Sequence, residues 1–152
     1  MNKLLDLASL YGIEVYPKLQ TGSGMWDGNS VPGYNTQHAA IAGFLIQDEP
    51  SYSDLDDLGD LKEAFDANEA FAGKEFLVNL YPASSSNIHI GGDYADYVDT
   101  FSEEVNPDTI AVDIYPLNSA GAVRKGFFEN LAILADRAQA NGCKLQYTML
   151  AC

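Results

Sequence analysis

Short apolar runs that end near a proline recur along this chain at almost constant intervals. Pro17, Pro50, Pro82 and Pro116 are separated by 33, 32 and 34 residues. Each proline closes a run of strand character, namely GIEVYP, GFLIQDEP, EFLVNLYP and TIAVDIYP. Continuous apolar runs without strict alternation are typical of parallel strands that are covered on both faces. The interval is that of one strand, one helix and their loops.

The segments between these runs carry apolar residues at helical spacing. This pattern predicts helices over 54–72, 94–105 and about 123–140, a short helix near 36–42, and a helix before the first strand. Asn141 and Gly142 form a good helix stop before a fifth strand in CKLQYTML. The order is therefore a helix followed by five strands, with four crossover helices between them.

The predicted fold class is α/β, with a parallel βα repeat that occupies residues 1–152 as a single domain. An open doubly wound sheet should carry a glycine-rich phosphate loop, and neither GxGxxG nor GxxxxGK[ST] occurs. We therefore favour a partial TIM barrel of about five βα units. A complete barrel needs about 250 residues, so we expect a fragment, an incomplete gene or a half barrel that pairs with another chain.

The net charge of −14, from 22 acidic and 8 basic side chains, narrows the class of partner. Nucleic acid and anionic membrane both need a positive surface, so neither is expected, and a neutral ligand fits better. No apolar stretch reaches membrane-spanning length, and Asp6 interrupts any signal-peptide core, which predicts a soluble chain. His38 and His89 lie in no metal-ligand spacing, so we expect no metal and no cofactor.

Polar side chains occupy matching positions before each proline. Residues one and three positions before a proline share a strand face, and Met149 takes the place of the proline in the fifth strand. The ten side chains so aligned are Glu14, Tyr16, Gln47, Glu49, Asn79, Tyr81, Asp113, Tyr115, Gln146 and Thr148. We expect them to converge on a ligand site at the carboxyl ends of the strands. The alternative is a set of polar strand ends that satisfy one another.

Glu49 is the best candidate for a catalytic proton donor. It follows Asp48 and the apolar GFLI, so a neighbouring charge and partial burial are expected to raise its pKa. Asp48 should face the opposite way and brace the following loop. Asp113 and Glu14 are the remaining inward carboxylates. Asp113, two strands away, is the candidate for the second catalytic group and would lie at the separation of an inverting hydrolase, while Glu14, on the neighbouring strand, would lie closer.

Aromatic side chains near these strand ends suit sugar rings, which have apolar faces and polar rims. Tyr16, Tyr81 and Tyr115 combine a flat ring with a hydroxyl group, and Trp26 lies in the long glycine-rich loop after the first strand. All four are predicted to bind substrate, together with Glu14, Gln47, Asn79 and Gln146. The alternative is that the aromatic residues pack in the core.

The segments GFLIQDEPSYSDLDDLGDLKEAF, LVNLYPASS and YADYVDTFSEEVNPDTIAVDIYPL resemble a clan of TIM-barrel glycoside hydrolases, and so does FFENLAILADRAQANGCKLQYTMLAC. That clan ends its fourth strand with the acid/base glutamate in an Asn-Glu-Pro motif, and a Bacteroidetes-rich group carries Asp-Glu-Pro. The resemblance implies that Glu49 is the acid/base and that the hydrolase is retaining and secreted or periplasmic. Two positions depart from the clan: Asp48 replaces its asparagine, and no glutamate stands at the end of QYTMLAC, where the clan has its nucleophile.

Three functional hypotheses follow. The first is a glycoside hydrolase that cleaves O-glycosidic bonds of a polysaccharide or oligosaccharide, with Glu49 as acid/base. The second is a non-catalytic carbohydrate-binding or degenerate barrel, which the missing glutamate near Met149 favours. The third is a half barrel whose open edges pair two copies into a homo-oligomer.

Overall fold

A four-stranded parallel sheet forms the centre of this mixed α/β protein, whose computed structural model describes residues 1–22 and 24–148. The strands are β1 Gln20–Thr21, β2 Gly24–Met25, β3 Gly43–Asp48, β4 Glu75–Leu80, β5 Thr109–Asp113 and β6 Lys144–Thr148. The helices are α1 Asn2–Leu10, α2 Leu55–Ala67, α3 Asn87–Ile90, α4 Tyr94–Val105 and α5 Phe127–Asn141.

The main sheet has the order β3-β4-β5-β6, and every neighbouring pair is parallel. Helices lie between successive strands, so the four predicted strands from GFLIQDEP onward and their crossover helices are confirmed. The first predicted strand runs parallel beside β3 through isolated bridges that join Val15 to Ile41 and Lys18 to Leu45. The hairpin of β1 and β2 in the loop that follows was not predicted.

Both faces of the sheet are buried in the middle of the strands, as the continuous apolar runs predict. In β4 and β5 consecutive residues, which face opposite sides of the sheet, are all buried: Phe76, Leu77 and Val78 in β4, and Ile110, Ala111 and Val112 in β5. The helix α4 begins and ends where it was predicted. The Asp93 carboxylate accepts hydrogen bonds from the backbone N–H groups of Ala95 and Asp96, which caps its first turn.

One predicted helix does not form, and two others have different bounds in the structure. The segment near 36–42 forms turns and no helix, because Ile41 pairs with Val15 of the first strand through a parallel bridge. The helix α2 ends at Ala67, and Asn68 caps a separate 3-10 turn. The helix α5 begins at Phe127 because Gly126 adopts a φ of +80°, outside helical geometry.

None of the helices in the described part of the chain is long and apolar enough to cross a membrane. Residues 149–152, which include the predicted register position Met149, lie outside the described residues.

Candidate functional site

Glu49 lies directly beyond the carboxyl end of β3, in a backbone conformation that is unusual for a glutamate. Its φ is +52°, in the left-handed region, which costs a residue with a side chain about 1–2 kcal/mol. The Glu49 N–H donates a hydrogen bond of 2.7 Å to the carbonyl oxygen of Asn79 on β4. The next residue, Pro50, accepts a hydrogen bond of 2.7 Å from the Tyr97 hydroxyl. Contacts on both sides therefore hold the strained turn that presents Glu49.

The carboxyl group of Glu49 holds its proton to a higher pH than an ordinary glutamate. Glu49 is an exposed residue, but partial desolvation of its carboxyl group by the surrounding protein is the largest cause of its raised pKa, and the charges of Asp113 and Asp48 add to it. His89 acts in the opposite direction and limits the rise. A carboxyl group with a raised pKa is suited to general acid catalysis near neutral pH.

Asp113 provides the second carboxylate of this cluster. It ends β5, is half-buried, and accepts a hydrogen bond of 3.1 Å from the Tyr115 hydroxyl. This hydrogen bond is the largest cause of the raised pKa of Tyr115, and the charges of Asp48 and Glu49 raise it further. The structure therefore places Glu49, Asp113 and Tyr115 near one another at the carboxyl ends of β3 and β5.

A β-bulge in β3 changes which neighbours of Glu49 face the site. Leu45 pairs with Leu77, but Gln47 pairs with Val78 and Asp48 pairs with Asn79, so one extra residue lies in β3. The Asn79 amide donates a hydrogen bond of 2.8 Å to the Asp48 carboxylate. The predicted orientations were wrong here: Asp48 shares a face with Asn79, and Gln47 lies with Val78 on the other face.

Tyr81 and His89 form a flat aromatic pair beside the carboxylates. Their ring centroids are 4.9 Å apart, with planes inclined by 21°. His89 belongs to the short helix α3, in the loop between β4 and α4. The spacing of the histidines bears only on a metal-binding role for His89, and nothing in the local sequence pattern indicates that its ring lies against Tyr81. Among the described residues, no group of three or more His, Cys, Asp or Glu side chains is arranged to hold a metal ion.

Glu14 and Tyr16 lie toward the amino-terminal ends of the strands, away from Glu49 at the carboxyl end of β3. The Tyr16 hydroxyl donates a hydrogen bond of 2.7 Å to Glu75, at the start of β4, and Thr109 donates to the other oxygen of that carboxylate. Burial is the largest cause of the raised pKa of Tyr16. The hydrogen bond to Glu75 and the charge of Glu75 come next, and the charge of Glu14 also contributes. Their predicted position at the carboxyl end was wrong, because the bridges to β3 place Pro17 in the middle of its strand.

Trp26 is a core residue, so its predicted role as a sugar platform was wrong. Only 2% of the residue is exposed, and its indole N–H donates a hydrogen bond of 2.8 Å to the Ser30 carbonyl. Its ring packs edge-on against Phe65 and Phe71, with centroids 6.2 and 5.5 Å away. The antiparallel hairpin of β1 and β2 folds the loop inward and leaves no ring face for a ligand.

The proline register also misplaces the fifth strand. Asp113 pairs with Thr148, and the half-buried Gln146 pairs with Ala111, two residues before Asp113. Asn79 likewise pairs with Ala111. Gln146 therefore lies two residues deeper in the sheet than Asp113, because neighbouring parallel strands are staggered and equal distances to a proline do not give equal heights.

Comparisons with protein-family models, with curated proteins and with solved structures found no significant match for this chain. The fold itself defines the class of the chain as a mixed α/β protein with a parallel sheet. The resemblance to a glycoside hydrolase clan remains a prediction.

Proposed function

We propose that this chain is a glycoside hydrolase-like protein that cleaves O-glycosidic bonds of a polysaccharide or oligosaccharide. The observation that carries the proposal is the position of Glu49 directly beyond the carboxyl end of a parallel strand, where the charge of Asp113 contributes to its raised pKa. Two carboxyl groups in unlike environments are what glycosidic cleavage requires, one as proton donor and the other as base or nucleophile.

The proposed architecture is part of a (βα)8 barrel. The four parallel strands and the segment that bridges to β3 would be five of its strands, in chain order. In such barrels the catalytic groups lie at the carboxyl ends of the strands and on the loops that follow. The positions of Glu49, Asp113 and the Tyr81–His89 pair agree with this arrangement.

In the proposed reaction Glu49 donates its proton to the glycosidic oxygen as the bond to the anomeric carbon breaks. Asp113 either takes a proton from the attacking water or attacks the anomeric carbon itself, and water then completes the cleavage. The Tyr81–His89 pair offers a flat surface for a sugar ring. Asn79 holds Asp48 by a hydrogen bond, which keeps that charge close to Glu49.

The substitution Glu49→Gln tests the assignment. It keeps the size of the side chain and removes the proton donor, so kcat/KM on a panel of aryl glycosides should fall by about 10²–10⁴. Activity is measured by release of the aryl alcohol, and circular dichroism checks the fold. Glu63→Gln, on the exposed side of α2, is the matched control and should keep full activity.

Full activity in Glu49→Gln would refute the catalytic role. Saccharide binding by the wild-type chain without any hydrolysis after long incubation would assign the site to the non-catalytic alternative. NMR of the first product anomer would distinguish inversion from the retention that the clan resemblance implies.

A further inference from the structure

A buried tyrosine on α4 contacts the turn that presents Glu49. The Tyr97 side chain has no exposed surface, and its hydroxyl group donates a hydrogen bond of 2.7 Å to the carbonyl oxygen of Pro50, 47 positions earlier in the chain. Tyr97 thus joins the helical layer to the end of β3. The proposed reaction assigns no role to this residue.

The hydrogen bond from Tyr97 supports an unfavourable backbone conformation. The φ of Glu49, +52°, lies in the left-handed region, which residues with a side chain rarely adopt unless the surrounding structure holds them there. The Glu49 N–H donates to the Asn79 carbonyl on one side of the turn, and the Pro50 carbonyl accepts from Tyr97 on the other. The second of these contacts comes from a side chain, so a substitution can remove it by itself.

The Tyr97 hydroxyl group also interacts with the end of β4. Burial raises the pKa of Tyr97, and a backbone hydrogen bond from Tyr81, the residue after β4, acts in the opposite direction. The Tyr81 ring stacks on His89. One buried hydroxyl group therefore joins the Glu49 turn to the aromatic pair of the proposed site.

The helix that carries Tyr97 is firmly anchored. Asp93 caps its first turn, and Val98 and Phe101 are fully buried beside Tyr97. A buried ring in a close-packed core has little freedom to move, so its hydroxyl group is a fixed point for the turn. Tyr94, one turn earlier, is also buried, but its hydroxyl group has no hydrogen-bond partner among the described residues.

We infer that Tyr97 is a positioning residue for the proposed hydrolysis, because its hydroxyl group holds the turn that keeps the Glu49 carboxyl group near Asp113. The inference deepens the proposed function and rests on it for the reaction. Tyr97 acts through Glu49 and not on the substrate. Without the hydroxyl group the turn should relax out of the left-handed region, and the carboxyl group should move further into water.

The substitution Tyr97→Phe removes the hydroxyl group and keeps the buried ring. We expect kcat/KM on aryl glycosides to fall by about 10–100-fold, mainly through kcat, because a small displacement of a catalytic group lowers the rate strongly. Tyr94→Phe is the matched control: it removes a buried hydroxyl group that has no partner in the described part of the chain, and it should keep the wild-type rate. The double variant Glu49→Gln/Tyr97→Phe should be no less active than Glu49→Gln.

The titration of Glu49 separates positioning from a loss of stability alone. The groups that act on its carboxyl group are Asp48, Asp113 and His89, and the pKa values of Tyr97 and Tyr115 respond to its charge. Partial desolvation is the largest cause of the raised pKa of Glu49, so Tyr97→Phe should lower that pKa. The alkaline limb of kcat/KM should then move to lower pH. Carbon-13 NMR of the glutamate carboxyl groups measures the midpoint, with the Glu49 signal identified by its absence in Glu49→Gln.

An unchanged Glu49 midpoint in Tyr97→Phe, with the fold checked by circular dichroism, would overturn the inference whatever the activity, and so would equal losses of activity in Tyr97→Phe and Tyr94→Phe. A chain that hydrolyses no glycoside but whose Glu49 midpoint falls in Tyr97→Phe would support the positioning of Glu49 by Tyr97 and refute the hydrolase. Loss of hydrolysis in Glu49→Gln, with wild-type activity and midpoint in Tyr97→Phe, would do the reverse.

Discussion

Two independent constraints act on Glu49. Its backbone is held in the left-handed region by hydrogen bonds at Glu49 and Pro50, and its carboxyl group lies close to Asp48 and Asp113. Both constraints cost free energy, and such costs are typical of functional positions rather than of positions selected for stability. Replacing Glu49 should therefore remove the function and increase the stability of the folded chain.

This leads to a prediction for stability against pH. The pKa of Glu49 is raised in the folded chain above its ordinary value of 4.5, so its ionisation destabilises the folded state. That cost is absent below the ordinary pKa and complete above the raised one. Glu49→Gln should thus melt at a higher temperature than the wild type near pH 7, and the difference should shrink near pH 3. Thermal melts followed by circular dichroism measure the difference in melting temperature. Glu63→Gln is the control for the effect of the amide itself. A Glu49→Gln variant that is less stable than the wild type near pH 7 would contradict the prediction.

Among the elements, the loop after the first strand contributes Trp26 to the core. It buries Trp26 among Phe44, Phe65 and Phe71, and the last two of these rings are stacked 4.8 Å apart. This cluster joins β3, α2 and the turn that follows α2, so it holds in place the strand that ends at Glu49. The loop therefore stabilises the position of β3 through the packing of Trp26, and Trp26 does not contact a ligand.

The substitution Trp26→Ala should accordingly reduce stability. Removing a buried aromatic side chain of this size costs about 3–5 kcal/mol, measured as a shift in the urea midpoint. Phe128→Ala removes an aromatic ring that is 71% exposed, and should change stability by about 0.5 kcal/mol or less. Similar losses for the two variants would show that Trp26 is not a core residue.

At the scale of the whole molecule, the sheet has two open edges within the described part of the chain. The strand segment at Val15 pairs only with the β3 side, and β6 pairs only with β5. Near the first edge, α1 exposes Leu4, Leu7 and Leu10. Open edges and exposed apolar residues favour association with another chain, and we propose a second copy as the partner.

Sedimentation equilibrium tests this proposal. We expect about twice the mass of the 16.5 kDa chain at micromolar concentration, and a shift toward the single-chain mass for Leu7→Glu, which places a charge on the exposed apolar face. Lys3→Gln on the same helix should keep the wild-type mass. A wild-type chain that stays monomeric at the highest concentrations would disprove the pairing.

The sequence by itself determined the alternation of strands and helices, the parallel sheet and the position of Glu49 at a strand end, because apolar periodicity is a local property of the chain. The tertiary structure decided what surrounds Glu49. The bulge in β3, the height of Tyr16, the burial of Trp26 and the contact of His89 with Tyr81 all depend on partners far away in sequence. Strand register is set by hydrogen bonds between strands, and a shift of one residue moves a side chain to the other face. The number of residues between a side chain and a proline therefore cannot predict its strand register or the face on which it lies.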